Sequence, residues 1–318
     1  MTSVSSLGLM TQSLLQIQNV QLQLSNLSEQ LSTGKKSLNL ADYSLTDSNR
    51  VLSLTTLTTK KQAFISSIDT VQPQVKLYDT TLDKLTDVAN SAMTLVNQAT
   101  SPEQATSTAA DSQFKGLLDS LTYYLNQKLG DRYIFGGDRF GTKPVTDLTQ
   151  LGSPTATAAV SSPTLPEYDS AAPGSDATTY NKASVQVDDG YTLTYGISSN
   201  DPAIQNLVQG IRWAYEATQQ TNSATFTANM NTARTLISQG LDGIRSLHGT
   251  VAANLSQLQT TKQQHNDFIA SAAAQIDGIQ SADSAEVATK ISFAQAQLQA
   301  SYSVTAKIAS LSLVNYLS

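Results

Sequence analysis

The sequence has no cysteine and little material for catalysis. The absence of cysteine excludes disulfide bonds and thiolate metal sites. Charged residues are 14% and aromatic residues 6% of the 318 residues, with one tryptophan and two histidines. Active sites usually gather titratable side chains with shifted pKa values, and this chain has few of them to gather. We therefore expect a protein that is not an enzyme and needs no cofactor.

The charge balance disfavours nucleic acid as a partner, and long apolar runs are missing. The formal net charge is -6, whereas binding to phosphates needs clustered lysine and arginine. No window approaches the roughly 20 apolar residues of a membrane-spanning helix. Residues 1–24 carry no lysine or arginine ahead of their apolar positions, so they lack the charged start of a secretory signal. We expect no membrane insertion and, if the protein is exported, no cleaved signal peptide.

Three patterns that could indicate a chemical site are weak. His248 and His265 stand 17 residues apart without further metal ligands nearby, which favours a surface or seam role. Residues 136–141 contain three glycines but no following Lys-Ser/Thr, so a tight turn is favoured over a phosphate loop. No Gly-x-Ser-x-Gly sequence accompanies the abundant serines. We predict no catalytic, cofactor-binding or metal-binding residues.

Both ends of the chain carry apolar residues mostly three, four or seven positions apart, which is typical of amphipathic helices. Neither helix can bury its apolar stripe alone, so we expect the two to pack as a coiled coil. Polar residues interrupt the stripes, which favours helices that gain order against neighbouring subunits, although an ordinary closed bundle is the alternative. The predicted assembly seam is Leu7, Met10, Leu14, Ile17, Leu24, Leu31, Ile291, Leu298, Val304, Ile308 and Leu311.

Helical periodicity also fills most of the remaining chain. A regular stripe over residues 64–96 contains Pro73, where we expect a kink or a break. Ser101 and Pro102 predict the start of another helix, ending by Gly130. The middle is richer in proline, and alternating apolar residues on either side of Asp189-Gly190 predict a β-hairpin.

The predicted fold class is mainly α, with long N- and C-terminal helices packed as a coiled-coil-like bundle and a small β-containing insert. Five segments are expected. They are an N-terminal assembly helix and loop (1–45), the first half of a helical rod (46–137), a variable β-rich insert (138–202), the second half of the rod (203–282) and a C-terminal assembly helix (283–318).

Motifs at both ends resemble the bacterial flagellin family. Residues 31–39, Leu-Ser-Thr-Gly-Lys-Lys-Ser-Leu-Asn, look like the family run Leu-Ser-(Ser/Thr)-Gly-x-(Arg/Lys)-Ile-Asn, and residues 296–302 and 311–317 look like its C-terminal helix. Residues 133–137, Tyr-Ile-Phe-Gly-Gly, are similar to a segment of the hook-associated members. The motif residues are Ser32, Thr33, Gly34, Asn39, Tyr133, Phe135 and Gly136.

The resemblance implies an extracellular structural adaptor of the flagellum at the hook–filament junction. Its implied partners are further copies of itself in a ring, a neighbouring hook-associated protein, flagellin, the flagellar type III export apparatus and an export chaperone. A filament flagellin subunit is the main alternative. A secreted adhesin with a helical stalk is a third possibility, which the matching motifs at both termini disfavour.

Overall fold

The computed structural model describes residues 2–137, 139–145, 147–150, 154 and 182–317. Side chains of residues 2–7, 9, 150 and 311–317 lie outside this description, and so do those of the predicted seam residues Leu7 and Leu311. Within these ranges, no helix combines the length and the apolar character needed to cross a membrane.

Long helices dominate the described chain, as the periodicity predicts. Two short antiparallel sheets lie between them, and 3-10 turns occupy Leu40–Asp42 and Leu148–Gln150. The elements are α1 (Thr2–Thr33), α2 (Leu45–Gln98), α3 (Pro102–Ser107), α4 (Ala110–Leu125), β1 (Lys128–Leu129), β2 (Arg132–Tyr133), β3 (Ser184–Asp188), β4 (Tyr191–Thr194), α5 (Pro202–Thr218), α6 (Ser223–Gln280) and α7 (Ser284–Leu317). The mainly α fold with a small β-containing middle is therefore confirmed.

The chain divides into two compact units. The first unit comprises Met1–Thr59 with Asp267–Ser318, and the second comprises Lys60–Asn266. One boundary falls inside α2 and the other inside α6, so each of these helices contributes residues to both units. The five functional segments expected from the sequence remain a prediction.

The second unit has a large continuous core. Its buried side chains come mainly from α2, α4, α5, α6 and the β3–β4 hairpin, with Phe114 and Phe226 among the largest. Phe135, which follows β2, is also fully buried in this core. The hairpin forms at the predicted place, since β3 pairs with β4 and Gly190 has the left-handed φ of +67° that the turn requires. Period-2 burial then directs Val187 and Leu193 into the core.

Local structure narrows the sequence prediction at one place and departs from it at two. α2 runs through Pro73 without a break, so of the two predicted outcomes only a kink remains. The helix predicted from Pro102 is divided into α3 and α4 at Ala109, which has a left-handed φ of 51°. Beyond α4, Gly130 (φ +60°) lies in the turn of the small β1–β2 hairpin, which lies outside the predicted insert.

Glycine allows α5 and α6 to approach closely. A Cβ atom on Gly240 of α6 would lie 2.7 Å from the backbone nitrogen of Leu207 on α5. Gly249, further along α6, has nothing within 4 Å of the same position. Both glycines lie inside α6, but Gly240 is packed against α5 and Gly249 has open space beside it.

Gly240→Ala is expected to destabilise the second unit by about 1–3 kcal/mol, because the added methyl meets backbone atoms that cannot rotate away. Gly249→Ala is the matched control and should stabilise the helix by up to about 1 kcal/mol through helix propensity alone. Denaturant titration followed by the emission of Trp213 measures both changes. Equal effects in the two variants would contradict the close helix contact.

Candidate assembly surface

α1 and α7 pack against each other in the first unit through a small apolar core. The buried residues are Val20 and Leu27 on α1 with Val287 and Ala294 on α7. Partly buried side chains pack around this core, including the predicted seam residues Leu24, Ile291 and Leu298. Ile17 is also buried. The structure thus brings together Leu24, Ile291 and Leu298 of the predicted seam and buries Ile17.

Polar side chains continue the contact where the stripes are interrupted. The hydroxyls of Ser13 and Thr305 lie 2.5 Å apart, and the Gln21 amide donates to the Tyr302 hydroxyl at 3.0 Å. Early residues of α1 thus meet late residues of α7, so the helices are antiparallel. Because these pairs need matched partners, they fix the register more than they add stability.

The remaining described seam residues do not enter this core. Met10, Leu14, Leu31 and Val304 are exposed, with Leu14 48% and Val304 52% exposed, and Ile308 is half-buried. They form part of a larger group of exposed apolar side chains in the first unit, which we name the assembly surface. Its members are Met10, Leu14, Leu15, Leu22, Leu31, Leu38, Leu45, Leu52, Leu57, Phe293, Tyr302 and Val304.

The predicted seam omits residues of the α1–α7 core and residues of the assembly surface. Val20 and Leu27 are central to the α1–α7 core, although the predicted stripe runs through Ile17, Leu24 and Leu31 beside them. Phe293 is 71% exposed and lies off the predicted stripe. Helical spacing gives relative positions around a helix, but it does not say which of two adjacent stripes meets the partner.

The motif around Gly34 serves the loop between α1 and α2. Gly34 ends α1 with a φ of +68°, a conformation that favours glycine. Thr33 donates from its hydroxyl to the Glu29 carbonyl at 2.8 Å, and Asn39 accepts from the Ala41 backbone at 3.1 Å as the cap of a 3-10 turn. Ser32 is exposed. These residues shape the backbone.

The same loop is tied to the turn between α6 and α7. The Lys36 backbone N–H donates to the Gln280 carbonyl, and the Ala282 N–H donates to the Gly34 carbonyl, both at 2.8 Å. The Lys36 ammonium also donates to the Ile279 carbonyl at 2.9 Å. These bonds join the two chain connections of the first unit, which positions α1 beside α7.

The motif at residues 133–137 lies in the second unit, where it builds core and turn. The Phe135 ring is fully buried and meets the Tyr78 ring edge-on at 5.3 Å, while the Tyr78 hydroxyl donates to the Ile134 carbonyl. A Cβ on Gly136 would lie 2.9 Å from the Arg139 carbonyl oxygen, so only glycine fits without movement. Tyr133 is partly buried and receives the Lys128 ammonium over its ring at 4.3 Å.

Burial shifts the pKa of two titratable side chains in the second unit. Burial raises the pKa of the Tyr195 hydroxyl and lowers the pKa of the Arg212 guanidinium. The imidazole of His248 lies 2.9 Å from the Asp79 carboxylate at the surface. Among the residues that the structure describes, no cluster of histidine and carboxylate side chains could hold a metal ion.

Comparison with solved structures relates this architecture to flagellar proteins. No protein-family model and no curated protein matches the sequence. A flagellar hook-associated protein from Vibrio parahaemolyticus matches with a TM-score of 0.60 at 12% identity, covering 76% of this chain and 100% of its own. FlgL from Bacillus cereus matches with a TM-score of 0.50 at 19% identity, covering 72% of this chain and 100% of its own. The chain therefore has the fold of these flagellar hook-associated proteins.

Proposed function

We propose that this protein is a structural subunit of the bacterial flagellum that joins the hook to the filament at their junction. The observation that carries the proposal is the assembly surface, a set of exposed apolar side chains concentrated in the first unit. The fold shared with hook-associated proteins from two bacteria supports the flagellar setting.

The energetics of the first unit favour association. Its α1–α7 core buries few side chains, whereas leucines such as Leu22 and Leu45 are 65% and 80% exposed. Burying one such side chain contributes about 1.5–3 kcal/mol, so a partner that covers several of them adds stability comparable to that of a small domain.

The proposed role is mechanical, with no catalytic step. The subunits form a ring that contacts a neighbouring hook-associated protein on one side and flagellin on the other. They reach this extracellular position through the flagellar type III export apparatus, with an export chaperone. The segment at residues 133–137, which resembles hook-associated members of the family, favours this role over that of a filament flagellin.

Deletion of the gene tests the junction role directly. Electron microscopy of the deletion strain should show bare hooks, and the culture supernatant should contain unassembled flagellin, because the filament has lost its attachment point. Restoring the gene is the control and should restore filaments. Filaments of normal length on the deletion strain would contradict the proposal and indicate a minor flagellin or another function.

A further inference from the structure

The β3–β4 hairpin contacts both long helices of the second unit through polar groups. On the α2 side, the ammonium groups of Lys60 and Lys61 each lie 2.5 Å from a carboxylate oxygen, belonging to Asp189 and Asp188 respectively. The Lys61–Asp188 pair is the more enclosed, since the Lys61 side chain is only 17% exposed. Charge pairs screened less by water contribute more than exposed ones.

The α6 side is held by a buried imidazole. His265 is 2% exposed, and its Nε2 lies 2.7 Å from the backbone carbonyl of Val187 in β3. A carbonyl can only accept, so this nitrogen carries the proton and donates. The imidazole also stacks on the Phe64 ring of α2, with centroids 5.7 Å apart and an interplanar angle of 26°. One side chain of α6 thus meets both the hairpin and α2.

These contacts lie at the end of the apolar core. The continuous core includes Ile68 on α2 and Leu258 on α6 as its outermost members in that direction. Phe64 lies one turn beyond Ile68, and His265 lies two turns beyond Leu258. Beyond these core residues, the ion pairs of the hairpin tip and the stacked imidazole of α6 connect the hairpin with the two helices.

We propose that the β3–β4 hairpin is a clasp that holds α2 and α6 together at this end of the second unit, and that the clasp opens in acid when Asp188 is protonated. Opening frees the hairpin tip at Asp188 and Asp189 and leaves the rest of the unit folded, because Val187 and Leu193 next to the tip stay buried in the core. The clasp stands independently of the flagellar role, since it concerns the isolated second unit.

The charges around Asp188 give the direction of the pH dependence. Burial by itself raises the pKa of Asp188. Hydrogen bonds from Lys61 and the Asp189 backbone and the charges of Lys61 and His265 lower it. The lowering effects together are larger, so the pKa of Asp188 lies below its ordinary value. A carboxyl group whose pKa is lowered by folding stabilises the folded state at pH values above its ordinary pKa of 3.8. This stabilisation is lost as the pH falls through the lowered pKa of the folded state. The other charged groups nearby are Lys60, Asp189, and Lys262, which pairs with Asp69 at 2.6 Å.

A spin-label distance measurement tests the clasp, and the absence of native cysteine makes labelling specific. Thr192→Cys on the hairpin and Thr260→Cys on α6 are exposed positions for the two labels. At pH 7 the distance distribution should be narrow, and it should broaden as the pH falls below the ordinary Asp pKa of 3.8, while Trp213 emission stays native. Asp188→Asn should broaden it already at pH 7, with amide exchange at Val187 faster by about tenfold or more.

Asp87→Asn is the matched control, because Asp87 pairs with Lys84 at 3.5 Å on an exposed face of α2. It should leave the distribution and its pH response unchanged. A distribution that stays narrow in acid with native Trp213 emission would overturn the clasp, and so would loss of Trp213 emission together with the hairpin contact. Opening centred near pH 6, the ordinary range of imidazole, would overturn the role of Asp188.

Discussion

Phe293→Asp is expected to abolish incorporation of the protein into the flagellum while leaving the isolated chain folded. The side chain is 71% exposed, so a carboxylate there remains solvated in the monomer. In an assembled contact the same carboxylate would lose its water without gaining a partner, which is strongly unfavourable. Complementing the deletion strain with this variant should give bare hooks and a motility near that of the deletion. Circular dichroism of the purified variant should match the wild type.

Two variants on the same helix separate assembly from folding. Gln299→Asp adds the same charge at an exposed polar position and should retain most motility. Leu298→Asp changes a side chain that packs on the α1–α7 core, so it should reduce helical content as well as incorporation. Normal motility of the Phe293→Asp strain would show that this part of the assembly surface faces solvent in the flagellum.

Phe135→Ala is expected to destabilise the second unit by about 3–5 kcal/mol, because truncation of a fully buried aromatic side chain leaves a cavity. It also removes the edge-on contact with Tyr78. The free energy of unfolding can be followed by Trp213 emission, since the single tryptophan lies in α5 of this unit. That probe reports on the second unit even if the two units unfold separately.

Tyr123→Ala is the control for aromatic truncation, because the Tyr123 side chain is 66% exposed. Its effect should stay within about 0.5 kcal/mol, as for most surface substitutions. A similar loss of stability in both variants would mean that the motif at residues 133–137 does not anchor the core. A small effect of Phe135→Ala alone would assign that motif a role outside the fold.

The contrast between the units bears on assembly. The second unit has a large continuous core, while the first unit leaves many of its large apolar side chains exposed. Helices with little tertiary packing are marginal in water, so the first unit should gain stability when a neighbouring subunit covers it.

Much of the secondary structure follows from the sequence alone. The spacing of apolar residues predicts the long helices, Ser101 and Pro102 mark the start of α3, and Asp189-Gly190 marks the hairpin turn. These signals are local, because helix periodicity, capping and turn conformation depend on residues a few positions apart. Gly34, whose positive φ ends α1, is another signal that depends only on nearby residues.

Only the tertiary structure decided which faces are covered. Leu24 and Leu31 share one predicted stripe, yet Leu24 packs on the α1–α7 core and Leu31 is 44% exposed. Likewise, nothing in the local pattern places His265 beneath a strand 78 residues away. Spacing along a helix defines a face, but the partner of that face depends on residues distant in the chain. For the assembly surface of this protein, we propose that this partner lies on another molecule.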